Sequence, residues 1–196
     1  MQATAVSTAV LNEVRHASAE EIAAYICGAA HDGTFSVRHR TTRFGQSDPR
    51  WLDVLQAALS RLGYRSWSYK EGASRALWVL ETSWRSGSFP ICTDDEARGY
   101  VRGYFDAEGG VPRSLAARMY VQFVQKDRAD LEACRRHLSC LGISTGKIHN
   151  PSVRVDPHYW RFYVSAQSHA AFVKTIGSWH PRKREILEER VRELAP

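Results

Sequence analysis

Two short runs of the chain each end in an acidic residue followed by glycine, and their residue types could do chemistry together. The run "YICGAAHDG" places Asp32 before Gly33, and the run "GYFDAEGGV" places Glu108 before Gly109. Taken singly, Asp-Gly and Glu-Gly are ordinary turn signals. Two carboxylates that converge, however, form an all-oxygen site that suits hard divalent cations. Whether the two acids can act together depends on whether the fold brings Asp32 and Glu108 close to each other.

Helix-start signals precede both runs. Ser18 and Thr93 each stand three residues before a glutamate, and these capping boxes predict two helices that begin alike. The acid follows the cap residue by fourteen positions in the first run and by fifteen in the second. Both acids are thus expected at the far end of about four turns. Gly33 and Gly109 would then suit left-handed helix caps.

Small residues along both predicted helices allow a close approach of their backbones. They are Ala23, Ala24, Cys27 and Gly28 in the first helix and Gly103 and Ala107 in the second. If the helices pair in this way, their acidic ends converge. Two carboxylates at helix C-termini are disfavoured by the helix dipoles and by each other, so a compensating positive charge, such as a pair of divalent cations, is expected there.

The segment after each predicted helix is repeated. "FGQSDPRWLDVLQAALSRLGYRS", from Phe44, and "FVQKDRADLEACRRHLSCLGIST", from Phe123, share seven residues at a constant offset of 79. The matching pairs are Phe44 with Phe123, Gln46 with Gln125, Asp48 with Asp127, Leu52 with Leu131, Leu59 with Leu138, Leu62 with Leu141, and Gly63 with Gly142. A run of matches without a gap indicates an internal duplication.

The duplication predicts an α+β fold of two pseudo-symmetric α-β-β-α-β-β repeats with antiparallel sheets. Alternation supports the strands, because Trp160 and Phe162 are apolar while Arg161 between them is charged. The predicted divisions are a lead-in over 1–17, a first repeat over 18–82, a linker over 83–92, and a second repeat with C-terminal helices over 93–196. The lead-in is compatible with a short helix or with a disordered terminus.

Composition bounds the class of protein. Twenty-seven Lys and Arg against 21 Asp and Glu give a net charge of +6, which suggests attraction to a polyanion but also fits an ordinary basic domain. The four cysteines show no zinc-site spacing and no CxxC pair, so neither a structural metal nor a disulfide framework is expected. Without a signal-peptide pattern or a long apolar run, we expect an intracellular protein, cytoplasmic or organellar, that is not secreted and has no membrane partner.

The run "GYFDAEGGV" resembles the motif of the LAGLIDADG homing endonucleases over residues 103–109. The first run is a more degenerate copy, in which Asp32 falls on the last acid of the motif and Cys27 on its glycine, with Gly28 displaced by one. The repeat order from about 18 to 166 is similar to that of the single-chain, two-repeat members. The resemblance implies a saddle-shaped fold and a monomer with internal pseudo-twofold symmetry.

The same resemblance implies the roles of the acids. Asp32 and Glu108 are expected to bind the metals, with Mg²⁺ as the natural ion, Mn²⁺ as a substitute, and Ca²⁺ as an ion that binds without supporting cleavage. Asp106 has Ala30 as its counterpart in the first run, so a structural or capping role is expected for it. His31 is interpreted as a residue packed at the helix interface rather than as a ligand or base.

A Gln-Lys pair follows the second motif helix, as it does in the family. Gln125 would position the water network, and Lys126 would polarise water or stabilise charge that develops on the phosphate. Gln46 repeats the glutamine in the first half, whereas Ser47 stands where the lysine would be. The first half must then manage without that cation or borrow another, such as Arg43 or Arg113, and the two strands of the substrate should be cut at unequal rates.

The polar faces of the strands are the expected DNA surface, with Arg reading guanine, Gln reading adenine and other basic groups contacting phosphate. The predicted DNA-binding residues are Ser36, Arg38, Arg40, Ser66, Ser68, Lys70, Arg75, Arg118, Tyr120, Gln122, Lys147, His149, Arg154 and Arg161. Any one of them could equally be a solvated strand position. The basic cluster "SWHPRKRE", over residues 178–185, is interpreted as a solvated helix start.

These expectations combine into one functional hypothesis. The chain is predicted to be an enzyme, a divalent-metal-dependent endodeoxyribonuclease that hydrolyses phosphodiesters and makes a double-strand break in a long asymmetric DNA site. By resemblance, the break would have short 3′ overhangs, and the gene would lie within an intron or intein-like element. The alternatives are an RNA maturase that assists intron splicing and a catalytically inactive DNA-binding regulator on the same fold.

Overall fold

The computed structural model describes residues 8–72, 74–87, 89–114 and 116–194, and these form two halves of similar construction. The elements of the first half are α1 (Thr8–His16), α2 (Ala19–Ala29), β1 (Gly33–Ser36), β2 (Thr41–Gln46), α3 (Arg50–Arg61), β3 (Ser66–Lys70) and β4 (Trp78–Thr82). Helix α1 falls within the predicted lead-in, of which residues 1–7 lie outside the described ranges.

The second half follows the same order with one regular strand fewer and adds two helices. Its elements are α4 (Asp94–Glu108), β5 (Gly109–Gly110), β6 (Gln122–Gln125), α5 (Arg128–Cys140), β7 (Trp160–Tyr163), α6 (His169–Thr175) and α7 (Pro181–Leu194). Short 3₁₀ turns occur at Ala30–Asp32 and Ala166–Ser168. Within the described ranges, no helix combines the length and the apolar character that a membrane crossing requires.

Both sheets are antiparallel. The first has the strand order β1-β2-β4-β3, and the second has the order β5-β6-β7. Where the first sheet has β3, the described part of the second has isolated bridges from Thr145 to Val164 and from His149 to Arg161. The register of the two bridges differs by one residue, so they do not form one regular ladder. The predicted α+β class with antiparallel sheets is confirmed, and the second repeat is less regular than predicted.

Helices α2 and α4 pack against each other through glycine. A Cβ atom added at Gly28 would lie 2.1 Å from the carbonyl oxygen of Tyr100, and one added at Gly103 would lie 2.0 Å from that of Tyr25. Any side chain at either position would push the two backbones apart. The close approach that the small residues predict is confirmed, and the two glycines are equivalent positions, each ten residues after its N-cap.

A 3₁₀ turn explains why the first acid follows its glycine more closely than the second. Four residues lead from Gly28 to Asp32, whereas five lead from Gly103 to Glu108. The 3₁₀ turn before Asp32 rises about 2.0 Å per residue, against about 1.5 Å in an α-helix, so both paths are about 7.5 Å long. The alignment that places Cys27 on the glycine of the motif is therefore wrong, because it assumes two identical helices.

The expected left-handed caps at Gly33 and Gly109 are wrong. Their φ angles are −88° and −80°, which is extended backbone, because the 3₁₀ turn after α2 and helix α4 each run directly into the first strand of their sheet. Gly109 is required instead because there is no room for a side chain at this position. A Cβ atom at Gly109 would lie 2.4 Å from the carbonyl oxygen of Phe105.

The two capping boxes differ in the structure. At Thr93 both hydrogen bonds of the box are present. At Ser18 the hydroxyl accepts from the amide of Glu21 at 3.0 Å, but the Glu21 carboxylate pairs with Arg102 of α4 at 2.7 Å. The first helix thus gives up half of its predicted box for an ion pair between the halves.

The segment that joins α6 to α7 connects the two halves. Each half has its own apolar core, and the Trp179 side chain belongs to the core of the first half. Its ring centroid lies 4.5 Å from that of Tyr25, and its Nε1 donates to the Glu13 carboxylate at 3.1 Å. The C-terminal end of the predicted second repeat therefore packs on the first.

Candidate active site and nucleic-acid interface

The acids of the two motifs meet where α2 and α4 end. Asp32 ends the 3₁₀ turn after α2, and Glu108 is the last residue of α4. Partial burial raises the pKa of both carboxyl groups, and the charge of Asp32 raises the pKa of Glu108 further. The backbones of α2 and α4 approach each other at Gly28 and Gly103, four and five residues before the two acids. Asp32 and Glu108 therefore lie at the same end of the helix pair and are called the acid pair below.

Each acid is bound by a glutamine of its own half. The Gln46 amide donates to the Asp32 carboxylate at 2.8 Å, and Gln125 makes a hydrogen bond with Glu108. Both hydrogen bonds stabilise the ionised acid and so act against the rise of its pKa. The glutamines hold equivalent places, since each ends a strand, Gln46 on β2 and Gln125 on β6. The structure thus brings four of the five predicted catalytic residues into two matched pairs.

The donor set of the acid pair suits a hard cation. Among the described residues, no group of three or more His, Cys, Asp or Glu side chains could hold a metal on its own. The acid pair therefore offers two carboxylates and leaves the other positions to water and to a bound phosphate. Mg²⁺ is bound in this manner, through one or two carboxylates together with phosphate oxygens. The residues present fit the divalent ion that the family resemblance implies.

Lys183 is a cation held at the end of α4, beside the acid pair, and the sequence interpretation missed it. Its ammonium group donates to the carbonyl oxygens of Phe105 and Asp106, each at 2.7 Å, at the C-terminal end of α4. Burial lowers the pKa of Lys183 to about 8, against the pull of the surrounding carboxylates. The expectation that residues 178–185 are simply a solvated helix start is wrong for Lys183, because α7 docks its first turn on the end of α4.

The other cations considered from sequence lie elsewhere. The exposed Lys126 ammonium makes no hydrogen bond or ion pair with any residue that the structure describes, and it lines an open groove beside Trp160. Arg43 pairs with Glu71 at 2.6 Å and with Glu81 at 3.2 Å. Neither side chain contacts the acid pair. Lys126 keeps the place that its motif predicts, at the end of β6, without being held there.

Asp106 anchors the C-terminal segment. Its side chain is 2% exposed and accepts hydrogen bonds from the Tyr25 hydroxyl at 2.9 Å, from the Trp179 amide at 2.9 Å and from the His180 amide at 3.0 Å. The Ser178 hydroxyl also donates to it. Complete burial raises the pKa of Asp106. These contacts support the structural role expected for the first acid of the motif.

His31 packs between the halves. Its ring lies 4.6 Å from the ring of Tyr104, and its Nε2 is 3.0 Å from the Tyr100 hydroxyl. Its Nδ1 lies 3.4 Å from the Asp130 carboxylate. These partners match the interpretation of His31 as an interface residue, because they leave the ring turned away from its neighbour Asp32 and toward α4 and α5.

The open face of the first sheet is largely neutralised. In the register of β2 with β4, Arg43 lies opposite Glu81 on the face away from buried Leu80. Arg43 also donates to the Tyr69 hydroxyl at 3.0 Å. Its two carboxylate partners and this hydroxyl cover the cation, so the face offers aromatic and uncharged surface beside Trp67, which is 43% exposed.

Three of the predicted DNA-binding residues lie on the other side of that sheet. Ser68 is paired with the buried Leu80, and Ser66 and Lys70 share its face two residues away. Gln56 of α3 donates to the Ser66 carbonyl at 3.2 Å on the side of this face, while Ser68 and Lys70 remain exposed because β3 is an edge strand. The expectation that Ser66, Ser68 and Lys70 line the open face is wrong, because the residues between them, Trp67 and Tyr69, lie on that face instead.

The open face of the second sheet carries accessible polar groups. Gln122 lies opposite Tyr163, and Arg161 lies opposite Val124 and His149, on the face away from buried Phe123. The Arg161 guanidinium stacks over the Tyr163 ring at 5.5 Å. Tyr120 packs edge-on against that ring at 6.1 Å. These predicted residues form one continuous surface.

The remaining predicted DNA contacts lie in turns and loops. Ser36 ends β1, and the turn after it carries Arg38 and Arg40. Arg75 lies in the loop between β3 and β4, and Arg118 lies in the segment before β6. Lys147 and Arg154 lie between α5 and β7. All but the half-buried Ser36 are exposed at the sheet edges.

Comparisons with known proteins agree with this architecture. Residues 95–177 match the family model of a LAGLIDADG-like domain. The structure of I-DmoI in complex with DNA and Mn is similar, with 18% identity over 82% of this chain and 98% of that chain and a TM-score of 0.60. No curated protein sequence matches.

A second protein shares the fold. Full-length DUF199/WhiA from Thermatoga maritima is 18% identical over 98% of this chain and 68% of that chain, with a TM-score of 0.67. The N-terminal LAGLIDADG domain of DUF199/WhiA is 17% identical over 90% of this chain and 92% of that chain, with a TM-score of 0.65. At these identities the likeness concerns the fold, and the fold is that of LAGLIDADG proteins.

Proposed function

Because residues 95–177 are a LAGLIDADG-like domain and the chain has the LAGLIDADG fold, we propose that the protein is a homing endonuclease. It makes a metal-dependent double-strand break in a long asymmetric DNA site. The observation that carries the proposal is the acid pair, in which each half supplies one carboxylate and the glutamine that binds it. A protein that only bound DNA would gain nothing from two carboxylates facing phosphate.

The residues of the acid pair would each have a defined part in hydrolysis. Asp32 and Glu108 would hold divalent ions, with Mg²⁺ expected and Mn²⁺ as a substitute. When bound, such ions neutralise phosphate charge and lower the pKa of water so that it can attack. Gln46 and Gln125 orient the carboxylates through their amide groups. Lys126, exposed at the end of β6, can reach a phosphate on which charge develops.

Double-stranded DNA is the proposed substrate of a single chain. The chain carries a net charge of +6, and I-DmoI, of the same fold, was solved with DNA. Gln122 and Arg161 present hydrogen-bond donors on the second sheet that suit base edges. Arg38 and Arg40, in the exposed turn of the first sheet, suit phosphates. The unequal charge of the two open faces supports recognition of an asymmetric site, as an intron-homing enzyme requires.

A selection of cleaved DNA tests the proposal. A randomised or host-derived duplex pool is incubated with Mg²⁺ and the wild-type chain, beside an Asp32→Asn/Glu108→Gln double variant and a Ca²⁺ control. We expect cleaved products from the wild type with Mg²⁺ alone, with one sequence enriched among them. Mn²⁺ should replace Mg²⁺, and Ca²⁺ should support binding without cleavage.

The same selection separates the alternatives. Enrichment of a bound sequence without cleavage, identical in the double variant, would mean that the protein is a DNA-binding regulator on this fold. The degenerate first motif and the serine at position 47 favour this second candidate. If no DNA is recovered, binding to intron RNA should be measured next, as expected of a maturase.

A further inference from the structure

Lys183 has a position that its own helix disfavours. It lies in the first turn of α7, where the helix dipole repels a cation, and burial adds a second cost. Its ammonium group crosses to the C-terminal end of α4 and donates there to the carbonyl oxygens of Phe105 and Asp106. The carboxylates of Asp106, Glu108 and Asp32 all attract it. Because the dipole of α7 and burial both disfavour a charged lysine here, its position requires a strong local reason.

That reason lies in the charge around it. The last carbonyl groups of α4 carry the negative end of the helix dipole, and the acid pair adds two carboxylates at the same point. Of the described cations near the end of either motif helix, Arg43 is held by Glu71 and Glu81, and Lys126 points to solvent. Lys183 is thus the cation that the fold directs at this concentration of negative charge.

We propose that Lys183 is a resident counter-cation of the acid pair, a positioning residue that keeps Asp32 and Glu108 together before metal and DNA bind. It compensates, from the C-terminal helix, for the lysine that Ser47 replaces in the first half. Docking of α7 then has a purpose beyond packing, because it completes the electrostatics of a site made by two other helices.

This role has a consequence for metal binding, and that consequence rests on the proposed function. A fixed positive charge beside two carboxylates lowers their affinity for a divalent ion. Removing the charge should therefore loosen the metal-free protein and tighten metal binding at the same time. If Lys183 had only a structural role, removing its charge would lower both the stability of the metal-free protein and the affinity for metal, since a loosened site binds metal less well.

A double-mutant cycle tests the link to the acids. Lys183→Gln keeps an amide donor for the α4 carbonyls but removes the charge, and it is combined with Glu108→Gln and with Asp32→Asn. Urea unfolding is measured in EDTA at pH 7 and low salt. Lys183→Gln should raise the unfolding constant of the wild type, and the rise should be about tenfold smaller in the Glu108→Gln background, where the carboxylate is already neutral. In the Asp32→Asn background the rise should also be smaller than in the wild type, but by a lesser factor. Lys126→Gln in the same backgrounds is the control and should be additive.

Additivity of both Lys183 cycles would overturn the proposal and leave Lys183 as a cap of α4 alone. Lys183→Met, which removes the donor as well, gives the size of that capping contribution. If Lys183→Gln does not fold, Lys183→Met replaces it in both cycles, and its coupling to Glu108 remains the criterion. Lys183→Arg, which keeps the charge, should then be additive with both acid substitutions, and coupling of equal size for Lys183→Arg would contradict the proposal.

The metal readout separates this proposal from the nuclease proposal. Melting temperatures are measured with and without Ca²⁺ for the wild type, Lys183→Gln and Lys183→Arg. We expect a Ca²⁺-induced rise that is larger in Lys183→Gln, equivalent to about tenfold tighter binding, and near the wild-type value in Lys183→Arg. Coupled cycles with no Ca²⁺ response in any variant would keep the counter-cation and reject the metal site. A weaker response in Lys183→Gln would reject the predicted competition.

Discussion

The two halves present the same pair of groups, a carboxylate and a glutamine, from different local structures. In the first half an aspartate ends a 3₁₀ turn, and in the second a glutamate ends an α-helix. The tighter turn lets four residues span the distance that five span in the other half. The backbone has diverged while the positions of the acids are kept. A site shared by both acids requires those positions, whereas two independent turns would not.

The halves differ more in their cations and sheets than in their acids. Lys126 has no counterpart, because Ser47 stands at the matching position. The open face of the first sheet has its arginine neutralised by two glutamates. On the open face of the second sheet, Arg161 contacts Tyr163 and His149 and has no carboxylate partner among the described residues. Symmetry is thus strict at the helix pair and relaxed at the surface that would meet DNA.

The largest expected effect tests the strict symmetry of the helix pair α2 and α4. Gly28→Ala and Gly103→Ala should each destabilise the protein by about 3 kcal/mol, because the new Cβ atom would lie within about 2 Å of a backbone carbonyl oxygen that cannot move alone. Gly87→Ala, where the added atom meets nothing within 4 Å, is the control. Urea unfolding measures the change. A clearly unequal response at Gly28 and Gly103 would break the claim that they are equivalent positions.

The second effect tests the extra contact of the first half with the C-terminal segment. His180 stacks on Trp51 at 5.6 Å, and burial lowers its pKa to about 3. Between pH 6.5 and about 3 the unfolded chain binds a proton at this position that the folded chain does not. Its contribution to stability is thus present above pH 6.5 and falls with decreasing pH by up to about 1.4 kcal/mol per pH unit.

His180→Phe should remove that part of the slope. The free energy of unfolding of the wild type and the variant is compared from pH 7 to pH 4, so that the other titrating groups cancel in the difference. His16→Phe, at an exposed position on α1, is the control. Parallel curves for wild type and His180→Phe would show that the segment does not bury a neutral imidazole.

The third effect concerns the cation that only the second half has. Single-turnover nicking of the two DNA strands should proceed at unequal rates, and Lys126→Met should slow one strand about tenfold more than the other. Strand-specific labels on the selected duplex give the rates. Equal nicking by the wild type, with both strands slowed alike by Lys126→Met, would show that the difference at Ser47 has no functional consequence.

The smallest effect compares the sheets. Arg161→Ala should weaken DNA binding about fivefold and reduce the salt dependence by about one phosphate contact. Arg43→Ala should change DNA affinity little, because two carboxylates already neutralise that side chain. Binding isotherms at several salt concentrations provide the comparison. Equal losses for both variants would mean that the ion pairs of Arg43 open when DNA binds.

The sequence was informative where one residue decides the geometry. The acid-glycine runs, the cap residues and the aligned glutamines predict two matched helices with acids at their ends, because caps, small residues and carboxylates act locally. The sequence was less informative where contacts come from distant segments. Nothing near Lys183 distinguishes it from Arg182 or Arg184, and only the docking of α7 on α4 turns one of the three toward the acids.

The strand faces show a different limit. A shift of one residue in the alternation exchanges the two faces of a strand. In β3 the pattern "SWSYK" allows either assignment, since aromatic and polar residues both occur at exposed positions. Only pairing with the buried Leu80 of β4 decides that Ser68 faces the helices. Partners of β3 that lie ten residues or more away are invisible to a local pattern.

The central claim is that one acid from each half completes a single site, and strand-resolved cleavage by Asp32→Asn and by Glu108→Gln tests it most directly. Each variant should lose cleavage of both strands by at least about 10³-fold, while its affinity for the duplex stays within about threefold of the wild type. Loss of only one strand in each variant would mean two separate sites. Cleavage of both strands at the wild-type rate would contradict the account altogether.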